Sequence, residues 1–171
     1  MAGKYTLTRA MELSIVYSDN EAADLLAGAL RLPYRDYRLL LAQYSGLDDS
    51  ELPEEFFTKN CISPRFMINT LVYLYDNSEL YSELIGYMKQ AHPGRYFKQN
   101  EGEYEIAHKY GYYELVLNDC GIVYTPRPFA LVAFTNRVKK AEAALLPYCR
   151  SCAARVRRLR RTYSVSVIPV I

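Results

Sequence analysis

Metal ligands are scarce in this chain, which has only 2 His and 4 Cys among 171 residues. Four cysteines are too few for a disulfide scaffold. Only Cys149 and Cys152 stand at the C-x-x-C spacing of a redox or metal half-site, with no second pair to complete it. No metal and no other cofactor is therefore expected, and the thiols read as buried or idle. An excess of one charge is equally lacking. The 21 basic and 19 acidic residues leave a net charge of +2, so no broad field exists to capture nucleic acid or an anionic membrane. The local clusters read as solvated faces: Arg155, Arg157, Arg158, Arg160 and Arg161 near the end, and Asp48, Asp49, Glu51, Glu54 and Glu55 in the middle. No apolar run approaches the roughly 20 residues a membrane span needs, and the amino terminus has no basic stretch leading into an apolar one. With 8 Gly, 8 Pro and 50% hydrophobic residues, a disordered or collagen-like chain is also excluded.

What is present fits one domain with a core of its own. Leu7, Ala10, Met11, Leu13, Ile15 and Val16 fall on one side at helical spacing after Thr6 and Thr8. A second helix follows from Glu21 to about Arg31, with Asn20 as its N-cap and Pro33 as its stop, and a short third spans residues 36–44. Residues 45–60 contain Gly46 and Pro53 without a clean period, which predicts a long surface loop with at most a turn of helix. Ser63 followed by Pro64 predicts a helix start, and Ser78 predicts the cap of another helix that His92, Pro93 and Gly94 would stop. The period then changes. Residues 104–108, 113–117, 121–125 and 129–134 are short runs of β-branched and aromatic residues, read as an antiparallel meander with a turn at Asn118 and Asp119. A last helix is predicted from about Asn136, kinked at Pro147. The fold class is α+β, or layered α/β: a mainly helical part (7–100), three or four antiparallel strands with a closing helix (101–161), and a tail (162–171).

Two short motifs carry chemistry. Ser18-Asp19-Asn20 lies between two predicted helices, and His108-Lys109-Tyr110-Gly111 lies at the end of the first predicted strand. Taken alone, Ser18 and Asn20 read equally well as helix caps, and Lys109 and Gly111 as an edge-strand charge and a turn residue. Together, and in this order, they resemble the second and third elements of the penicillin-recognising serine hydrolases of the class A β-lactamase type, S-D-N and K-[ST]-G. The flanks are similar as well: LSIVYSDNEAADLL, then ISPRFM, IAHKYG and NDCGIVYTPRPFALVAFTN follow the family's helices and sheet from Leu7 to about Lys140. Tyr110 departs from the pattern, standing where class A β-lactamases have Thr or Ser.

The resemblance implies acyl transfer on an amide or β-lactam-type substrate, a small molecule or a peptidoglycan-like peptide, in an extracytoplasmic setting. It implies that Ser18 passes a proton to the departing nitrogen while Asn20 binds the substrate amide. Lys109 would pair with a substrate carboxylate, and Gly111 would let a substrate backbone approach the strand. Tyr110 keeps one hydroxyl donor but fills space that a threonine leaves open. Asp19 and His108 would brace these groups. The family's nucleophile belongs to an S-x-x-K motif before S-D-N, yet no serine here has a lysine three positions on. Glu51, Glu54 and Glu55 do not match the pattern of the deacylating base. A partial domain is therefore expected, inactive alone and completed by a second copy or by an amino-terminal chain. The alternative is a non-catalytic ligand- or partner-binding module derived from the same fold.

Overall fold

Thr6 accepts a hydrogen bond from the Arg9 N–H at 3.1 Å and so opens helix α1 (Leu7–Val16), in the computed structural model that describes residues 5–59, 61–100, 104–114, 116–135 and 166–167. The closing helix expected from residue 136, its Pro147 kink, Cys149, Cys152 and the arginine cluster lie outside those residues. The chain divides into two compact units, Met1–Tyr87 and Met88–Ile171.

The first unit is helical. After α1 come α2 (Asn20–Ala29), α3 (Tyr34–Gln43), a 3-10 turn (Asp49–Glu51), α4 (Glu54–Thr58) and α5 (Pro64–Asp76), while α6 (Ser82–Gln90) runs across the division. Ser63 caps α5 as expected, its hydroxyl accepting from the Phe66 N–H at 3.1 Å ahead of Pro64 in the first turn. Ser78 does not cap α6, which begins at Ser82, because residues 77–81 form turns bonded back to Tyr73, Tyr75 and Asn77. Residues 45–59 are more ordered and more buried than the surface loop with a turn of helix expected of them. They contain α4, whose Phe56 and Phe57 are buried with Ala42, Leu47 and Phe66 in one cluster. Arg38, 3% exposed, ties this segment down: its Nε donates to Phe56 O at 2.7 Å, Nη2 donates to Cys61 O at 3.1 Å, and the guanidinium lies 4.0 Å from the Phe56 ring centre. A buried cation holding two carbonyls and a ring supplies the order that Gly46 and Pro53 seemed to deny.

The second unit carries the sheet, in the order β1 (Glu105–Tyr113), β2 (Val116–Tyr124), β3 (Phe129–Phe134) and β4 (Ser166–Val167). Strands β1 to β3 are antiparallel as expected, and β4 pairs in parallel with Leu131 and Val132 of β3. Phe97, Ile106, Leu117, Val123, Leu131 and Ala133 form the core. The strands are longer than the sequence suggested. Runs read as four strands merge, because the chain reverses between Tyr113 and Val116, where Glu114 has the left-handed φ of 51° that tight hairpins use. Asn118 and Asp119 sit inside β2. Their polarity is satisfied within the sheet, since Asn118 Oδ1 accepts from the Thr135 N–H at 2.9 Å and Asp119 bonds the Phe97 N–H and His108. The fold is thus α+β, with a helical part and a three-stranded antiparallel meander. Among the described residues no helix is long and apolar enough to cross a membrane.

Candidate functional site

The two motifs fall on different units. Ser18, Asp19 and Asn20 form the joint between α1 and α2. Asp19, not Asn20, is the cap: its Oδ1 accepts from the Ala22 N–H at 2.8 Å, and Asn20 is the first residue of the helix, with its side chain exposed. Asp and Asn cap almost equally well, so composition could not choose between them. The backbone decides, because Asp19 is extended (φ −72°, ψ 117°) while the helix begins one residue later. Ser18 has a left-handed backbone with φ 56°. Such a conformation is uncommon for a residue with a Cβ and stores on the order of 1 kcal/mol of strain. It lets the chain reverse while the Tyr17 and Asp19 N–H groups both return to Leu13 O, at 3.1 Å each.

The second motif lies within β1, not at its end. Alternation along the strand puts His108 and Tyr110 on one face, and Lys109 and Gly111 on the other. On the first face His108 and Asp119 make a fully buried pair, Nδ1 lying 3.0 and 3.1 Å from the two carboxyl oxygens. His108 Nε2 donates to Ala91 O at 2.9 Å. Gly121 stands opposite His108, and a Cβ there would lie 2.4 Å from Ala107 O and 2.9 Å from His108 Cβ, so only glycine fits. His108 is thus a packed and bonded group within the second unit. Its partner was missed, because Asn-Asp between apolar runs reads as a turn.

Tyr110 is locked in an aromatic cluster that the sequence reading did not identify. Its ring stacks on Tyr96 with centroids 4.3 Å apart and planes at 22°, and meets His92 edge-on at 4.5 Å. His92 Nε2 is buried without a hydrogen-bond partner, and burial, then Lys109, holds the imidazole below its ordinary pKa. A neutral ring is the form that tolerates this setting. Lys109 is half-buried. Its Nζ donates to Tyr110 O at 2.8 Å and lies 4.8 Å from the Tyr110 ring centre. Burial pushes its pKa below that of an ordinary lysine, against the opposing pull of Cys120 and Asp119. Opposite it on β2, Cys120 donates its thiol proton to Lys109 O at 3.3 Å and is pushed up to about 12, chiefly by burial. Gly111 is exposed with open space around it. Of the three glutamates considered as a base, Glu51 is already engaged: Oε2 accepts from the Asp48 N–H at 3.1 Å and Oε1 meets Arg65 at 3.0 Å.

Comparisons with known proteins agree with this architecture. The chain is similar to a structure of PBP-A, with a TM-score of 0.70 and 19% identity over 91% of this chain and 63% of that one. A mutant of PBP-A, solved as an acyl-enzyme complex with penicillin G, is similar to the same degree. A β-lactamase from Sphaerobacter thermophilus gives a TM-score of 0.72 and 21% identity over 92% of this chain and 65% of that one. The chain thus spans a little under two thirds of the length of these structures, and at such identity the likeness is one of fold. A comparison with curated proteins found no match. The model of the β-lactamase enzyme family matches residues 2–148, across both motifs and strands β1 to β3, and the chain therefore belongs to that family.

Proposed function

We propose that this chain is the substrate-binding portion of a serine hydrolase that transfers an acyl group from an amide or β-lactam-type substrate, and that it is inactive by itself. Lys109 receives the substrate carboxylate, Asn20 binds the substrate amide, and Ser18 relays a proton to the departing nitrogen. Tyr110 and exposed Gly111 flank the substrate, while Asp19 and His108 hold the two motifs. The nucleophile would come from outside these 171 residues, since none of their serines begins an S-x-x-K. The compartment would be extracytoplasmic.

The observation that best supports this reading is the state of Lys109. A lysine on an edge strand is ordinarily a solvated charge, yet this one is drawn in against Tyr110, with its proton affinity lowered by burial. A half-desolvated ammonium beside a bare strand position suits capture of a carboxylate. The test is titration of the chain with penicillin G, followed by NMR and by intact-mass spectrometry. Expected are saturable shifts at Lys109 and near Ser18, lost in Lys109→Ala, with no covalent adduct. A stoichiometric serine adduct would overturn the claim of inactivity, and the absence of any shift would overturn the binding role.

One observation favours the second reading, a binding module without chemistry. In the family the sheet is completed by strands that precede the nucleophile helix, and here β4 pairs with the edge of β3 instead.

A further inference from the structure

The buried pair His108 and Asp119 directs its remaining hydrogen bonds at one short segment. His108 Nε2 donates to Ala91 O, and Asp119 Oδ2 accepts from the Phe97 N–H, both at 2.9 Å. Between those anchors, His92, Gly94 and Tyr96 have left-handed φ of 38°, 72° and 54°. Two of the three carry side chains, and such backbones persist only where the surroundings over-determine them. Ala91 O can only accept, so Nε2 carries a proton. A further proton must sit between Nδ1 and the carboxyl, because otherwise a bare ring nitrogen would face a bare carboxylate inside a site with 0% exposure. The pair is thereby fixed in orientation and cannot exchange its partners for water.

What the segment carries is the aromatic cluster on the candidate site. Tyr96 lies flat on Tyr110, His92 meets the same ring edge-on, and the Lys109 ammonium lies 4.8 Å from that ring's centre. Asp119 is also the register partner of Tyr110, so one residue touches the anchor of the segment and faces the ring the segment covers. We infer that His108 and Asp119 are positioning residues for the Lys109 end of the site: the pair pins residues 91–97 to the sheet, which keeps Tyr96 on Tyr110 and Lys109 against that ring. This deepens the proposed function and rests on it for the role of Lys109. Its test uses no substrate, so the two can fail separately.

The experiment compares Asp119→Ala with Asp119→Asn in the full chain by NMR. Asparagine can still accept from the Phe97 N–H and can donate to Nδ1 of a neutral His108, whereas alanine can do neither. In Asp119→Ala, exchange of the Phe97 amide is expected to rise on the order of 100-fold and the Tyr96 to Tyr110 ring contacts to vanish, with the ladder amides of β1 and β2 still protected. Asp119→Asn is expected to keep both within a few-fold. If alanine preserves the ring contacts, or if asparagine fails as badly as alanine, the inference falls. Should Asp119→Ala lose ladder protection as well, Tyr96→Ala decides, since it leaves the pair intact. Removal of the stacked ring is expected to admit water and move the Lys109 titration up toward the ordinary lysine value. An unchanged titration overturns the inference.

Discussion

Ser18 is the position where local stability and proposed chemistry part company. Its left-handed φ of 56° is easy for glycine and strained for serine. Ser18→Gly is therefore expected to melt at or above the parent, by up to about 1 kcal/mol, while removing the hydroxyl proposed to relay a proton. Ser18→Ala keeps the strain and gains nothing. Thermal melts of the three proteins check this, and a clearly destabilised glycine variant would show that the hydroxyl holds the joint together. Cys120 makes a second residue-level prediction. Burial, with Asp119 second, lifts its thiol from an ordinary 9.0 to about 12. Below pH 9 the folded and unfolded chains both hold the proton, so the contribution is complete. Between pH 9 and 12 the unfolded chain gives it up first, and stability falls as pH rises. Tyr81, pushed to about 12 mainly by its hydrogen bond with Tyr73, adds to the slope only above its ordinary 10.0. Melting temperature against pH should thus begin to drop near pH 9 in the parent and later in Cys120→Ala. Identical curves would remove Cys120 as the cause.

At the scale of elements, the clearest dependence is that of α4 on Arg38. Five residues cannot sustain a helix unaided, and this one is held by burial of Phe56 and Phe57 and by guanidinium bonds to Phe56 O and Cys61 O. Arg38→Met keeps much of the stem but leaves those carbonyls short of donors, with an expected loss of about 2–4 kcal/mol by denaturant titration. Arg38→Lys is expected to recover less than half, because one ammonium cannot reproduce a planar fork that donates from two sites and lies on a ring. A loss under about 0.5 kcal/mol in Arg38→Met would mean that the phenylalanines alone order the segment. The helix starts at Thr6 and Ser63 were legible because their caps act locally, within three residues. The start of α6 and the merging of β1 and β2 were not, since turns and sheet register answer to partners distant in sequence.

For the whole molecule, the open question is who covers the sheet. The parallel pairing of Ser166 and Val167 with Leu131 and Val132 places β4 on the outer edge of β3. Unpaired strand edges recruit other chains. A chain ending at residue 162 is therefore expected to self-associate more strongly than the parent, as a dimer or larger species by light scattering at high micromolar concentration. If both lengths stay monomeric and melt alike, the tail does not protect that edge. If the parent dimerises as readily as the shortened chain, a second copy and not the tail occupies it.

The sequence alone determined the helical part, the change to a sheet near residue 100 and the family resemblance, because periodicity, caps and short motifs are written in neighbouring residues. It placed Ser18, Asp19, Asn20, His108, Lys109, Tyr110 and Gly111 on recognisable elements. Only the tertiary structure decided that Asp19 is the cap, that Asp119 is the buried partner of His108, and that Tyr96 and His92 enclose Tyr110. The physical reason is the same in each case. A polar or aromatic side chain acquires its role from what it touches, and residues such as Asp119 and Phe97, which meet across the second unit, are brought together by packing and register that no local pattern records.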